Sequence, residues 1–295
     1  MEKIKINKIK SRIKNYTRQE NILLPIFHFI LFLLVLWTLL PFAFTFMNSF
    51  KDVVEYNRDA NSFPTYIQWE NYLEAWKLEY RNTNVIGLFF NTVIFVATFS
   101  VANICSSLFV AYALSRFKFL GNTLLYSLAI TIQIIPIFGN VGASYLLCDR
   151  LGLVDNILFL WVTAASGFDY AFLILFSYFV NVDRAYSDAA KIDGAGNWTI
   201  FLKIMVPMVM PAILTLWLTI VIGLWNNYTT PLIFLPTTPT LSTGLYALKS
   251  RAAYMEGGIT SYFAVLVLSI IPLLLLYSFT QRKLFKVDVE GGLKG

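Results

Sequence analysis

Six stretches of this 295-residue chain are long and apolar enough to cross a lipid bilayer. A transmembrane helix needs about 20 mostly apolar residues, and the stretches cover roughly residues 22–47, 88–114, 121–146, 157–180, 205–228 and 260–280. Only 14% of the residues are charged, whereas ordinary soluble domains carry about 25%. The sequence therefore predicts an all-α integral membrane protein with six transmembrane helices, forming a single domain over residues 1–295.

Lysine and arginine are distributed unevenly between the predicted loops. If the N-terminus is cytoplasmic, sixteen of the 23 Lys and Arg residues lie on the cytoplasmic side, where membrane proteins concentrate them. Both termini are therefore predicted to be cytoplasmic. The predicted inner segments are a basic N-terminus at 1–21, a short loop carrying Arg116 and Lys118, a loop at 181–204 and a tail at 281–295. The main predicted outer loops are 48–87 and 229–259, with a short one at 147–156.

Catalytic and metal-binding patterns are absent from the sequence. It has no G-x-x-x-x-G-K-[ST] loop for nucleotide phosphates, no H-E-x-x-H and no G-x-S-x-G. Cys105 and Cys148 are far apart, and His28 is the single histidine. We therefore expect no catalytic residue, cofactor or metal on this chain, and a protein that is not an enzyme.

The outer loop at 48–87 carries four aromatic residues, Trp69, Tyr72, Trp76 and Tyr80. They are typical of an amphipathic segment resting at the membrane interface. An aromatic docking surface for a partner protein is the alternative.

The inner loop contains a predicted short helix at residues 183–193, with Asp183 as its N-cap. Arg184 and Asp188 are four residues apart and can pair. Gly194 is placed to end the helix through positive φ. Ala189 and Ala190 carry minimal side chains, so another surface could approach closely; an ordinary solvated turn is the alternative.

This run also resembles the cytoplasmic signature loop of bacterial ABC-importer permeases, in which E-A-A, three residues, G, about nine residues, I, two residues and P follow one another. The matching positions are Asp188, Ala189, Ala190, Asp193, Gly194, Ala195, Ile204 and Pro207. Asp188 stands where the family usually has glutamate, which keeps the charge but shortens its reach.

Further fragments resemble the carbohydrate-importer branch, of the maltose-permease type, over nearly the whole chain. They are Asn48–Lys51, Asn71–Tyr72, Asn91–Thr92, Ala111–Phe117, Trp225–Asn226 and the tail Gly291–Gly295.

The resemblance implies a binding-protein-dependent permease for a sugar or oligosaccharide in the bacterial cytoplasmic membrane. Its implied partners are a second permease subunit forming a heterodimer, two cytoplasmic ATPase subunits that hold ATP and Mg, and an extracytoplasmic solute-binding protein; no nucleic acid is involved. The helix at 183–194 would couple ATPase closure to the movement of the spans, and the outer loops would face the binding protein.

Polar residues inside the spans suggest a substrate path. In the fourth span, Ser166, Asp169 and Ser177 share a predicted helical stripe, and charges within membranes are usually functional. In the fifth, the stripe is Thr215, Thr219, Gly223 and Asn226 or Asn227, with Trp225 or Tyr228 available to stack on a sugar ring. Helix packing through small and hydroxyl residues is the alternative for both stripes.

Other function classes stay open at this point. They are a permease for a non-sugar solute, a secondary transporter driven by an ion gradient, and a membrane scaffold or sensor. Secondary transporters often show inverted repeats and a buried ion site, and neither is evident in the sequence. Nothing in the sequence identifies a particular sugar.

Overall fold

The computed structural model describes residues 20–135, 141–156, 158–252 and 258–291, and the described part is almost entirely helical. Its helices are α1 (Glu20–Asn48), α2 (Val53–Arg58), α3 (Glu70–Lys77), α4 (Val85–Arg116), α5 (Asn122–Ile134), α6 (Val141–Arg150), α7 (Leu158–Ala164), α8 (Tyr170–Asn181), α9 (Arg184–Ile192), α10 (Asn197–Asn226), α11 (Thr229–Phe234), α12 (Leu241–Arg251) and α13 (Gly258–Gly291). The strands β1 (Glu79–Tyr80) and β2 (Thr83–Asn84) form an antiparallel hairpin.

Four helices in the described part are long and apolar enough to span a bilayer: α1, α4, α10 and α13. They correspond to the first, second, fifth and sixth predicted stretches. The predicted start of the fifth span at residue 205 is wrong, because α10 begins at Asn197. The C-terminal part of the loop predicted at 181–204 is therefore helical and continuous with the span.

The third and fourth predicted spans are each divided. α5 and α6 occupy the third, and residues 136–140 between them lie outside the described residues. α7 and α8 occupy the fourth, separated by a break at residues 165–169, so an uninterrupted helix over 157–180 is wrong. Each piece is shorter than the roughly 20 residues that a crossing needs.

α4 lies at the centre of the fold. It packs against α7, α8, α10 and α12, and α10 also packs against α8 and α13. Large side chains at these contacts, such as Phe172, Phe179 and Phe201, are completely or almost completely buried. α1 is different: none of its most apolar 18-residue window is buried within the chain.

α10 contains one π-helical turn at Phe201–Met205, in which the Val206 N–H bonds the Phe201 carbonyl. Pro207 follows directly and has no N–H to donate to the carbonyl four residues earlier. A single inserted residue in a helical ladder is a common way to accommodate such a defect. α10 and α13 both continue past an internal proline, Pro211 and Pro272 respectively.

The turn after α1 is held by a buried polar clamp. The Asn71 side-chain amide donates to the Ser49 carbonyl at 2.9 Å and to the Lys51 carbonyl at 2.8 Å. Lys51 is 0% exposed, and its ammonium donates to the Asp59 carbonyl at 2.9 Å. The Ser49 hydroxyl lies 2.8 Å from the Tyr72 hydroxyl. The fragments at 48–51 and 71–72 are thus two halves of one contact.

The four aromatic residues of the outer loop do not share one surface. Trp69 and Trp76 are exposed, whereas Tyr80 is buried and Tyr72 is half-buried against Phe50. Trp69, Leu73 and Trp76 are all exposed on α3 and its N-cap, and an interfacial segment or a docking surface would act through these three side chains. Elsewhere in the loop, Thr65 donates its N–H and hydroxyl to the Glu55 carboxylate, which lowers the pKa of Glu55.

We predict that Asn71→Ala destabilises the outer loop by about 1–3 kcal/mol, because two buried carbonyls lose their donor. Asn57→Ala is the matched control, since Asn57 is exposed on α2. Limited proteolysis of the loop in membrane vesicles measures the effect. Equal cleavage rates for the two variants would contradict the clamp.

Candidate functional site

The predicted short helix in the inner loop is confirmed as α9. Its N-cap is Asp183, whose carboxylate accepts the Ala185 N–H at 3.0 Å. Its end is a Schellman motif: the Gly194 N–H bonds the Lys191 carbonyl at 3.0 Å and the Ala195 N–H bonds the Ala190 carbonyl at 2.9 Å. Gly194 has φ +82°, a conformation that residues with a Cβ rarely adopt.

The two faces of α9 differ in exposure. Ser187 and Ala190 are buried against the rest of the chain, whereas Asp188 and Ala189 are exposed. The sequence predicted a minimal surface at both Ala189 and Ala190. Only Ala189 is exposed, so it alone provides that surface. The predicted pairing of Arg184 with Asp188 is wrong, because the carboxylate of Asp188 instead lies 3.5 Å from the Lys191 ammonium.

Arg116, at the end of α4, fixes the approach to α9. Its guanidinium donates to the carbonyls of Phe179 and Val182 at the C-terminus of α8. The last carbonyls of a helix have no intrahelical partner, and a cation there also interacts favourably with the negative end of the helix dipole. α9 follows immediately and so has a fixed position relative to α4.

Sequence reasoning missed the apolar residues that flank Ala189. Ile192 is 86% exposed, and Tyr186 and Trp198 are also largely exposed. Apolar side chains left in solvent next to one another are typical of an interaction surface. The signal in the sequence was three large apolar residues, Tyr186, Ile192 and Trp198, among the polar and small residues of 183–199.

The remaining residues of the signature run lie in the approach to the fifth span. Ile204 is in the π-helical turn and is half-buried, and Pro207 is exposed one turn further on. Asp193 is the C-cap of α9 and is exposed. The run thus comprises a capped helix, a glycine turn and the first turns of a span.

The break in the fourth span is built around Asp169. Its carboxylate accepts from the Phe172 N–H at 3.0 Å, capping α8, and from two α4 side chains, Asn103 at 2.7 Å and Ser107 at 2.8 Å. The Asp169 carbonyl accepts from Gln133 of α5 at 2.9 Å. The carboxylate thus connects two helices.

The predicted stripe of Ser166, Asp169 and Ser177 is wrong, because the helix that it requires is interrupted at 165–169. Gly167 has φ +67° within the break, and an added Cβ would lie 2.8 Å from the Val110 side chain. The interruption therefore depends on close approach to α4. Asn103, Ser106 and Ser107, one turn apart on α4, supply its hydrogen bonds and were not recognised from the sequence.

Three of the other predicted path residues line one pocket. Trp225, Asn226 and Tyr228 border a cavity of about 280 Å³ between the end of α10, α12 and α13. Trp225 is largely buried, and its indole N–H donates to the Ser269 carbonyl at 3.1 Å. Asn227 instead bonds Thr230 twice, donating its side-chain amide to the hydroxyl and accepting the backbone N–H in the first turn of α11. Ser166 and Asp169 are not among the residues described at this pocket.

Tyr228 stacks on Tyr246, with ring centroids 4.4 Å apart and planes 11° apart. Both rings are exposed. The stripe of Thr215, Thr219, Gly223 and Asn226 is also exposed along α10. The hydroxyls and the amide of this stripe bond carbonyls one turn back in the same helix.

Comparison with known proteins assigns the class. Residues 103–286 match the family described as "Binding-protein-dependent transport system inner membrane component". The chain belongs to this family. It is a permease subunit of an ABC transport system and a multi-pass protein of the bacterial cytoplasmic membrane.

Individual relatives agree with this class. The chain is 30% identical over 260 residues to the diacetylchitobiose uptake system permease protein NgcG of Streptomyces coelicolor, covering 85% of this chain and 84% of the relative. It is 29% identical to the polygalacturonan/rhamnogalacturonan transport system permease protein YtcP of Bacillus subtilis, covering 90% and 96%.

A solved structure shares the fold. It is a bacterial ABC transporter involved in the import of the acidic polysaccharide alginate. The TM-score is 0.76 at 21% identity, covering 90% of this chain and 98% of the other.

We predict that Asp169→Ala destabilises the protein by about 1–3 kcal/mol, because three donors lose their acceptor inside the bundle. Asp169→Asn retains one carbonyl oxygen and is expected to lose less. Asp149→Ala, at an exposed carboxylate on α6, is the control. Thermal unfolding in lipid nanodiscs measures this order of stabilities. Equal unfolding temperatures for all three variants would contradict the prediction.

Proposed function

We propose that this chain moves a sugar or oligosaccharide, delivered by an extracytoplasmic binding protein, through alternating access driven by separate ATPase subunits. Family membership and the named carbohydrate relatives support the substrate class. ATP and Mg would be held by the ATPases. The chain contributes the path and the surface on which force acts.

One observation carries the coupling role: α9 presents Ala189 outward while its opposite face is buried on the spans. A partner can approach an alanine surface closely, and the exposed Tyr186 and Ile192, three residues before and after Ala189 on α9, add apolar area. Asp188 would supply a carboxylate for a basic residue of the ATPase. The coupling surface that we propose comprises the exposed Asp188, Ala189, Asp193, Gly194 and Pro207, with the buried Ala190 and half-buried Ala195 fixing it to the rest of the chain.

The mechanical connection runs through short covalent and hydrogen-bonded links. Asp183 joins α9 to α8, and the capped turn at Gly194 and Ala195 joins it to α10. α10 then continues without interruption to Asn226. A displacement of α9 would therefore reach the outer end of α10, as a two-state mechanism requires.

A second permease subunit is the proposed partner within the membrane. The apolar window of α1 is unburied within the chain, and the Thr215–Asn226 face of α10 is exposed. Two subunits facing each other through α10 would enclose a path between these faces. α1 would then contact the partner or lipid.

We propose six crossings with both termini in the cytoplasm. α5 with α6 forms the third crossing and α7 with α8 the fourth, and the break in the fourth lies where α4 satisfies the backbone. The excess of Lys and Arg on the predicted inner segments supports this orientation. The loops at 48–87 and 229–259 would then face the binding protein, with the basic segment 1–21 and the tail 281–295 inside.

Substrate contact is proposed at the outer pocket, through Asn226 and the stacked pair Tyr228 and Tyr246. Aromatic rings and amides are suited to sugar faces and hydroxyls. Trp225 would support the pocket wall through its bond to Ser269. Asn227 would hold the neighbouring turn, and Asp169, with Ser166 in the same break, would position helices without contacting substrate.

We predict that Ala189→Arg inserts normally but reduces ATP-dependent uptake at least about tenfold, because the added side chain separates α9 from the ATPase. Thr123→Arg, at an exposed position near the start of α5, is the matched control. Uptake and stimulated ATP hydrolysis in proteoliposomes containing all subunits measure the effect. Normal uptake with Ala189→Arg would contradict coupling through α9.

We also predict that Tyr246→Ala raises the KM for the transported sugar by about tenfold, the equivalent of roughly 1.4 kcal/mol of lost contact. Tyr66→Ala, at an exposed tyrosine of the outer loop, is the control. Initial uptake rates at varied concentrations of substrate-loaded binding protein give KM and maximal rate. An unchanged KM would remove the tyrosine pair from the path.

A further inference from the structure

The pocket bordered by Trp225, Asn226 and Tyr228 has one charged side chain among its described lining residues, Lys249. The other described lining residues carry apolar, hydroxyl or amide side chains. The volume of about 280 Å³ lies just below the roughly 300–1,000 Å³ that is usual for small-molecule sites. The pocket is therefore of a size for a single sugar residue, and Lys249 determines the charge that it presents.

Three polar side chains of α12 line the pocket from one face of the helix. Ser242, Tyr246 and Lys249 are spaced four and three residues apart, which places them in one row along α12. The ring of Tyr246 stacks on Tyr228 and is itself exposed. A ring bound against the exposed face of Tyr246 would therefore lie within reach of the Lys249 ammonium.

The Lys249 ammonium has no partner among the described residues. The two other lysines of the predicted outer loops are engaged: Lys51 is buried and donates to the Asp59 carbonyl at 2.9 Å, and Lys77 lies 2.7 Å from the Glu74 carboxylate. Lys249 is exposed and forms neither an ion pair nor a side-chain hydrogen bond within the described part of the chain. Its charge is therefore available to a ligand.

The helices that form the pocket supply no opposing charge near it. α10 and α12 contain no Asp or Glu, and α13 has none before Asp288. Asp288 lies about 22 Å along the helix axis beyond Leu273, the last described lining residue on α13, at about 1.5 Å per residue. A cleft with apolar walls and charge of one sign concentrates counter-ions. The pocket thus favours a ligand that carries negative charge.

The position of Lys249 at the end of α12 does not account for its place in the pocket. Lys249 and Arg251 both lie in the last turn, where a cation interacts favourably with the helix dipole. Arg251 is exposed and is not among the described residues that line the pocket. The helix end therefore has a cation without Lys249, and Arg251 provides a matched control for it.

We propose that this pocket recognises a sugar residue that carries a carboxylate, as in a uronic acid. The Lys249 ammonium pairs with the carboxylate, and Tyr246 stacks on the ring. One ammonium balances one carboxylate, whereas a phosphate ester carries a charge of about −1.5 to −2. Asn226 and the tyrosine hydroxyls remain for the hydroxyls of the sugar. The inference rests on the proposed substrate contact at this pocket.

The test compares two disaccharides that differ in charge. Digalacturonate carries carboxylates where its neutral counterpart, galactobiose, carries hydroxymethyl groups. Binding of each to the assembled permease and ATPase subunits in phosphatidylcholine nanodiscs is measured by saturation-transfer NMR. The binding protein is left out, because its own selectivity would otherwise determine which sugar reaches the pocket.

We expect digalacturonate to bind about fivefold more tightly than galactobiose, the effect of an ion pair at a largely exposed site. High salt should reduce this preference. Lys249→Gln should abolish the preference without weakening the binding of galactobiose, which also shows that the variant is folded. Lys249→Arg should retain most of the preference, and Arg251→Gln should leave it unchanged.

Tyr246→Ala separates this inference from the proposed function, since it should weaken the binding of both sugars. Equal binding of the two sugars by the unaltered complex overturns the charge selection and leaves the substrate contact in place. No binding of either sugar, or unaltered binding of both by Tyr246→Ala, overturns the contact and the inference with it. A preference that Lys249→Gln retains, or that Arg251→Gln reduces equally, overturns the role of Lys249.

Discussion

Lipid offers no hydrogen bonds, so every backbone group exposed by a break in a transmembrane helix must find its partner within the protein. The break between α7 and α8 meets this requirement through α4. Asn103 and Ser106 donate to the Ala164 carbonyl, while Asp169 caps the next helix. Because Asp169 also accepts from α4, the same contact that permits the break determines where α8 begins.

α4 has a similar role at its two ends. At its N-terminal end Asn91 donates to the Pro239 carbonyl, and Thr92 accepts the Leu241 N–H at 2.7 Å, which positions the start of α12. At its C-terminal end Arg116 holds the C-terminus of α8. One helix thus positions both the pocket beside Trp225 and the start of α9, and the two belong to one packed unit.

The sequence was informative where a local rule determines structure. The apolar runs predicted α1, α4 and the start of α13 closely, and Asp183 and Gly194 predicted the limits of α9, because capping depends on neighbouring residues. The break at 165–169 was not predictable in this way, since it is stabilised by side chains some sixty residues earlier in the chain, such as Asn103. An apolar run indicates that a segment lies in lipid, but it does not show whether the helix is interrupted there.

Likewise, the sequence indicated that Trp225 or Tyr228 could stack on a sugar ring but could not distinguish their roles. The difference depends on α12 and α13, which leave Tyr228 open beside Tyr246 and direct the Trp225 indole towards Ser269. Asp169 presented the same difficulty: an acid within a span suggests a path, and only the tertiary contacts identify a helix cap.

α1 has a different relation to the fold from the other long helices. No part of the apolar window of α1 is buried within the chain. This subunit therefore requires of the window mainly its length and its hydrophobicity. Exchange of one apolar residue for another in that window would therefore disturb the packing of this subunit less than the same exchange in α4 or α10.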